Sequence, residues 1–167
     1  GAPVECGTSQ AGCLMGPDAY RTAGLKAALQ ELGLTVEDQG NLSPRPIAAA
    51  SHPNESIHGL ENTIGWSETL KIAAYNAIKN NDLPIFLGGD HSLSIGTVPG
   101  VTRHAVETGR EQFVLWLDAH PDIHTLRTTQ SGNLHGTPVA YFTGLADFKG
   151  TFPELDYPVD SANICMM

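Results

Sequence analysis

Two short apolar runs without polar alternation constrain the fold of this chain more than any other feature of its sequence. PIFLGGD (84–90) and QFVLWLDAH (112–120) each place consecutive apolar residues before a polar turn. A strand that faces water on one side alternates polar and apolar residues, whereas a strand buried on both faces does not. Because a helical pattern separates the two runs, the sequence predicts an α/β fold with a parallel sheet covered by helices on both faces.

Helical periodicity and turn signals predict the other elements. Apolar residues recur at helical spacing from Pro17 to Leu32, and Gly33 is the stop signal. Both chain ends, GAPVECG and NICMM, are typical of strands, the first entered late and the second cut early. We therefore expect residues 1–167 to form a single α/β domain that is incomplete. The further predicted elements are a short strand in 34–40, an irregular loop over 40–60, and helices over 62–80, 93–108 and within 134–144.

The composition excludes several classes of function. A hydrophobic content of 41% and a charged content of 16% are typical of an ordinary globular protein. The net charge is -9 and the 9 Lys and Arg are scattered, so we expect no nucleic-acid partner. Three cysteines without a C-x-x-C pair favour a reducing cytoplasm over a disulfide framework. No run of about 18 apolar residues is present, which predicts no membrane partner.

Side chains of the metal-ligand type follow both apolar runs. His91 comes after GGD, and Asp118, His120, Asp122 and His124 alternate with other residues after the second run. Parallel strands meet at the same sheet edge, so His91 and Asp118 are predicted to lie close together. An extended segment would also turn Asp118, His120 and Asp122 the same way. Oxygen and imidazole donors without thiolates indicate a divalent ion such as Mn²⁺, and Asp118 has two oxygens with which to bridge two ions.

A dense hydroxyl and amide loop, TTQSGNLHG (128–136), follows these residues. Thr129, Ser131 and Asn133 are suited to holding a carboxylate through neutral hydrogen bonds. His135 has the chemistry to transfer protons near neutral pH. The same letters are also typical of a turn, and GGDHS is also typical of a turn capped by its Asp. The residues by themselves leave both interpretations open.

The three motifs together resemble those of the ureohydrolase family, which comprises arginase, agmatinase and their relatives. GGDHS (88–92), DAHPD (118–122) and SGNLHG (131–136) match in order and spacing, and PVECG…GP…YRTAGL (3–25) resembles an arginase N-terminus. SGNLHG favours arginase within the family. The resemblance implies a three-layer α/β/α sandwich with a mostly parallel sheet, here truncated, and assembly as a homo-oligomer, either trimer or hexamer.

The resemblance also implies a role for each residue of the motifs. His91, Asp118 and Asp122 would bind one Mn²⁺, while His120 and the bridging Asp118 would bind a second. His135 would be the catalytic proton shuttle, and Asp122 is counted as catalytic as well as metal-binding. His124 stands where many arginases have an Asn. The residues implied to hold the substrate α-carboxylate are His124, Thr129, Ser131 and Asn133.

The implied activity is manganese-dependent hydrolysis of the L-arginine guanidinium group to L-ornithine and urea by a metal-bridging hydroxide. The family also uses a later Asp-x-Asp, a later acidic pair and a late Glu, and none has a counterpart here. We therefore expect the 167 residues to correspond to the N-terminal half of the family fold and to be inactive alone. The remaining late acidic residues are predicted to be solvated charges: Asp147, Glu154, Asp156 and Asp160.

Three alternatives remain. The first is another ureohydrolase, acting on agmatine or on another guanidino or formimino compound, although such substrates leave Ser131 and Asn133 without a carboxylate to bind. The second is a non-catalytic fragment or a regulatory arginase-like protein. The third, a zinc deacetylase on a related fold, leaves SGNLHG unexplained.

Overall fold

Five α-helices and one two-stranded sheet make up the regular structure of the computed structural model, which describes residues 1–167. Single 3-10 turns lie at Cys13–Met15, His91–Leu93, Leu134–Gly136, Ala146–Phe148 and Ser161–Asn163. In chain order the helices and strands are α1 (Gly16–Thr22), α2 (Leu25–Glu31), α3 (Leu60–Asn80), α4 (Ser94–Glu107), β1 (Val114–Trp116), α5 (Pro138–Phe142) and β2 (Ile164–Met166).

The two longest helices, α3 and α4, pack against each other and form the framework behind the site. Their apolar stripes explain this packing, because Ile64, Leu70 and Ala74 of α3 and Ile95 of α4 are buried. Both helices were predicted from periodicity and are confirmed. The α4 helix continues through Pro99. None of the helices combines the length and the apolar character needed to cross a bilayer.

The sheet is parallel, as the apolar runs predict. Strand β1 pairs with β2 in the register Val114↔Ile164 and Trp116↔Met166, so the C-terminal NICMM segment is a strand. The first apolar run contributes only an isolated parallel bridge between Ala2 and Gly88. In that bridge the Ala2 N–H donates to the Leu87 carbonyl at 2.8 Å. The N-terminal segment therefore lies beside the residues that lead into the GGDHS motif.

The main core covers one face of β1. Trp116 points into a cluster with α3, α4 and α5, in which Leu126, Leu134 and Phe142 are fully buried. On the opposite face, Phe113, Leu115 and Leu117 are exposed at 59–69%. Helices were predicted on both faces of the strand. They cover the Trp116 face of β1, whereas the opposite face is exposed.

Two predicted elements in the N-terminal third are wrong. The helix over 17–32 is interrupted at Gly24, whose φ of 88° is left-handed and cannot continue a right-handed helix. The segment 34–40 forms no strand, because its polar residues bond to α1 instead of to a neighbouring strand. Asp38 accepts from Arg21 at 2.8 and 2.9 Å. The irregular loop over 40–60 is confirmed up to the start of α3.

Candidate functional site

A capped turn presents His91 to the site. The buried Asp90 carboxylate accepts the backbone N–H groups of Gly7 and Ser92, both at 2.8 Å, and begins the turn His91–Leu93. The His91 ring stacks on the Trp116 indole, with ring centroids 4.4 Å apart and planes 11° apart. The capping interpretation of GGDHS is therefore correct for Asp90, and the cap leaves the His91 imidazole free to act as a ligand.

The two carboxylates enter the site from a turn that follows β1. Asp118 accepts the His120 backbone N–H at 2.9 Å. Asp122 has a left-handed φ of 48°, and its carbonyl oxygen accepts N–H groups of Val139 and Ala140 in the first turn of α5. The prediction of an extended segment over these residues is wrong, because the chain bends over 118–120 and is left-handed at Asp122. Both carboxylates nevertheless reach His91.

His91, Asp118 and Asp122 converge on one point. His91 Nδ1 lies 2.7 Å from Asp118 Oδ2 and 3.1 Å from Asp122 Oδ2. One ligand atom from each of the three residues falls within 4.8 Å of the others. One imidazole nitrogen and two carboxylate oxygens without a thiolate suit Mn²⁺, so the residues present fit the predicted metal.

The charges of this group are coupled. Burial lowers the pKa of His91, but the hydrogen bond and charge of Asp122, together with Asp118, outweigh burial and raise it overall. The pKa of Asp118 is lowered, first by the His120 backbone N–H and then by the charge of His91. Two carboxylates at one point repel each other unless a positive charge lies between them. A cation at this point would replace the His91 proton in that role.

His120 lies beside these three residues and not among them. Its side chain is 80% exposed, and its Nδ1 is 3.6 Å from Asp118 Oδ1. The convergence predicted for three alternating residues thus holds for Asp118 and Asp122 and not for His120. The two oxygens of Asp118 consequently face different partners, with Oδ2 toward His91 and Oδ1 toward His120.

Backbone contacts bring the SGNLHG loop to the same place. Gly7 donates its N–H to the Asp90 carboxylate, and its carbonyl accepts the His135 N–H at 3.0 Å. The His124 N–H donates to the Gly136 carbonyl at 3.1 Å. The candidate proton shuttle, the metal-type residues and the candidate substrate loop are therefore held together by hydrogen bonds of main-chain groups, one of them to the Asp90 side chain.

The predicted substrate-binding residues differ in their surroundings. His124 Nδ1 lies 3.3 Å from the Thr128 hydroxyl. Thr129 is buried, whereas Ser131 is exposed and its hydroxyl accepts the Asn133 N–H at 3.3 Å. Asn133 is half-buried and contacts His58. The structure places all four in one continuous segment between the metal-type residues and α5.

One late acidic residue is not the solvated charge predicted. The Asp147 side chain is 12% exposed, forms an ion pair with the Arg127 guanidinium, and accepts the Arg127 backbone N–H at 3.2 Å. The Thr125 hydroxyl, followed by these Arg127 contacts, lowers the pKa of Asp147 despite partial burial. Asp147 therefore anchors the chain just before the substrate loop.

Comparison with known proteins agrees with this geometry. The model of the arginase family matches residues 1–165. This chain belongs to the arginase family. It is 56% identical to the arginase of Agrobacterium fabrum over 167 residues, covering 100% of this chain and 51% of that protein. It is 54% identical to the arginase of Brucella melitensis, covering 100% of this chain and 54% of that protein.

Solved structures of family members have the same fold. A crystal structure of Bacillus subtilis arginase matches 99% of this chain and 54% of that chain, with a TM-score of 0.82 and 32% identity. The native Bacillus caldovelox arginase matches 99% of this chain and 55% of that chain, with a TM-score of 0.80 and 29% identity. The fold class is thus α/β and arginase-like. The chain spans about half the length of the relatives it matches.

Sequence reasoning missed two residues of the 40–60 loop that contact the substrate loop. The Asn54 amide donates to the Leu126 and Thr129 carbonyls, both at 2.9 Å, and His58 Nε2 lies 2.7 Å from Asn133 Oδ1. These partners are 72 to 75 positions apart in sequence. No periodicity or motif links them, so only the folded chain shows the contact.

The contact between the two loops yields a stability prediction at Gly132. A Cβ there would lie 1.7 Å from the Ser56 carbonyl oxygen, and the residue has a left-handed φ of 73°. Gly109 has nearly the same φ, 70°, with nothing within 4 Å of its Cβ position. We expect Gly109→Ala to cost about 1 kcal/mol of unfolding free energy from backbone strain alone. Gly132→Ala should cost more than about 3 kcal/mol, because the loop must also move.

Chemical denaturation of the two variants beside the unmodified protein measures both losses. Because the backbone strain is matched, the difference between the variants isolates the collision with Ser56. Equal losses would mean that the two loops are not in contact.

Proposed function

We propose that the protein encoded by the complete gene is a manganese-dependent arginase that hydrolyses L-arginine to L-ornithine and urea. The convergence of His91, Asp118 and Asp122 beside the SGNLHG loop, in a chain of the arginase family, carries this proposal. Both relatives are named arginases, and the regions aligned with this chain include every motif of the site. In this proposal, residues 1–167 form part of a single arginase-like α/β domain of that enzyme.

In the proposed metal centre, His91, Asp118 and Asp122 would hold one Mn²⁺, and Asp118 and His120 would contribute to a second. The two differently directed oxygens of Asp118 support its role as the bridging ligand. When bound, two Mn²⁺ ions would supply the Lewis acidity that lowers the pKa of water and makes it a nucleophile at neutral pH. Asp122, the most buried of the three ligands, keeps the geometry fixed through its carbonyl bonds to α5.

The remaining motif residues bind substrate and move a proton. Thr129, Ser131, Asn133 and His124 hold the α-carboxylate through neutral hydrogen bonds, which places the guanidinium carbon at the metal centre. His135 donates a proton from its imidazole to the departing δ-nitrogen, so that ornithine leaves as an amine. His124 stands where many arginases have an Asn, and this difference affects the affinity for the carboxylate and not the type of reaction.

The proposal includes an assembly and a location. We place the enzyme in the cytoplasm as a homo-oligomer, a trimer or a hexamer, with L-arginine as its small-molecule partner. All three cysteines, Cys6, Cys13 and Cys165, are free thiols, which suits a reducing compartment.

Manganese-dependent urea release tests the proposal. The protein produced from the complete gene should release urea from L-arginine after loading with Mn²⁺ and lose this activity after chelation. Elemental analysis should find two manganese ions per chain. Urea from agmatine but not from arginine would contradict the arginase assignment, and a protein that binds no manganese would favour the non-catalytic alternative.

A further inference from the structure

We infer that segment 54–58 (Asn54–His58) is the positioning element of the α-carboxylate site, and that His58 sets the substrate discrimination by orienting the Asn133 amide. This inference rests on the proposed function, because it names a residue that controls recognition at that same site. Neither Asn54 nor His58 belongs to the motifs from which the site was predicted, and neither is a ligand of the candidate metal centre.

Asn54 fixes the start of the substrate loop. Its amide nitrogen donates both of its hydrogens, one to the Leu126 carbonyl and one to the Thr129 carbonyl, each at 2.9 Å. Its amide oxygen accepts the Ser56 N–H at 3.1 Å, which closes a turn within segment 54–58. Every polar atom of the Asn54 side chain is therefore used. The residue ties the carbonyl groups on either side of Arg127 and Thr128 to the turn in segment 54–58.

Close backbone contact fixes the middle of the loop. The Ser56 carbonyl lies so near Gly132 that a side chain at Gly132 would overlap it. The His58 N–H donates to the Gly132 carbonyl at 3.5 Å, a long hydrogen bond next to that contact. Because Asn54 binds the chain at Leu126 and Thr129 and His58 binds it at Gly132 and Asn133, segment 54–58 spans the three predicted carboxylate-binding residues from Thr129 to Asn133.

His58 determines which way the Asn133 amide faces. An amide oxygen only accepts hydrogen bonds, so the 2.7 Å contact with Asn133 Oδ1 requires a hydrogen on His58 Nε2. The Asn133 Oδ1 atom is then occupied, and its amide nitrogen, with two hydrogens, makes no hydrogen bond within the chain. A carboxylate can only accept, so this orientation matches an α-carboxylate, whereas the reversed amide would present an oxygen to it.

This orientation bears on the choice between arginine and agmatine. The two guanidino compounds differ in the α-carboxylate that agmatine lacks. A donor held in place before substrate arrives improves binding of the compound that has the acceptor and contributes nothing to the other. Loss of the His58 contact is therefore expected to weaken recognition of arginine selectively.

Kinetics of His58 variants in the complete manganese-loaded protein test the inference. His58→Leu removes the donor with little loss of volume, and we expect KM for L-arginine to rise about tenfold, equal to about 1.4 kcal/mol, with kcat within about twofold. The inhibition constant of L-ornithine should weaken by a similar factor, while that of putrescine, which lacks the carboxylate, should stay unchanged. His58→Gln supplies an amide donor and should restore KM to within about threefold.

His104 provides the matched control. It is half-buried like His58, but it lies on α4 with its ring near Tyr75, 6.1 Å between centroids. His104→Leu should leave KM for arginine and both inhibition constants unchanged.

The outcomes separate the inference from the proposed function. Failure of the unmodified protein to release urea from arginine would contradict the proposed function itself. In an active protein, an unchanged KM in His58→Leu would overturn the positioning role. Equal weakening of ornithine and putrescine, or equal loss in the Leu and Gln variants, would show that His58 serves only the fold and would also overturn it.

Discussion

In the complete manganese-loaded protein proposed above, replacing Asp118 by asparagine is expected to lower urea release from L-arginine by about a thousandfold or more. Bound metal ions would supply several kcal/mol of stabilisation as Lewis acids, and each 1.4 kcal/mol is about tenfold. Asp118 is the one carboxylate whose two oxygens face both sides of the site, at 2.7 Å from His91 Nδ1 and 3.6 Å from His120 Nδ1. The amide of Asn keeps the size of the side chain but loses its charge and one of its two oxygen donors.

Manganese content and activity, measured on the same preparation, check this prediction. Asp118→Asn should hold fewer than two ions per chain after dialysis, and the residual activity should scale with the manganese that remains. Asp82→Asn makes the same chemical change at an exposed position that forms no hydrogen bond, and it should match the unmodified protein. A fully active Asp118→Asn enzyme with two ions would exclude the bridging role.

Phe142→Ala is expected to cost about 3–5 kcal/mol of unfolding free energy, a large share of the roughly 5–15 kcal/mol that stabilises a domain. Phe142 is fully buried in the main core and tilts against Trp116, with ring centroids 5.7 Å apart. Truncation leaves a cavity that this helix-covered core cannot fully close. Because Trp116 also stacks on His91, the cavity should weaken manganese binding as well as the fold.

Denaturant midpoints of the 167-residue chain measure this loss, and Phe113 offers the matched control. Phe113 is 66% exposed and lies on the same exposed face as Leu115. Phe113→Ala therefore makes the same truncation without leaving a cavity. It should shift stability by no more than about 0.5 kcal/mol. Midpoints that are equal in the two variants would show that the Trp116 face of the sheet is not the core.

Local patterns account for the parts of the fold that could be predicted. The helices α3 and α4 follow from uninterrupted apolar stripes, and the parallel sheet was predicted from PIFLGGD and QFVLWLDAH, which lack polar alternation. The strand that pairs with β1 is instead the C-terminal NICMM segment. The split at Gly24 was missed because apolar spacing continues across it while the backbone does not. PIFLGG is predicted as a strand because of its apolar content, but it forms only an isolated bridge. Apolar content does not reveal whether a neighbouring strand is present to pair with it.

The residues of the candidate site that could be predicted are those that lie within short motifs. His91, Asp118 and Asp122 were found because each follows an apolar run, and parallel strands bring such ends together. The left-handed Asp122 was not foreseen, since only its carbonyl bonds to α5 impose that conformation. Asn54 and His58 were missed because their contacts cross from an irregular loop to residues far along the chain.

The Trp116–His91 stack also gives the molecule an optical probe of its candidate metal site. The chain has 2 tryptophans, and the other, Trp66, is buried in a separate cluster with Val4 and Leu70. Indole emission responds to the charge of a ring stacked against it. We therefore expect indole emission to change when His91 gains or loses a proton, or when a cation binds beside it, without any label being added.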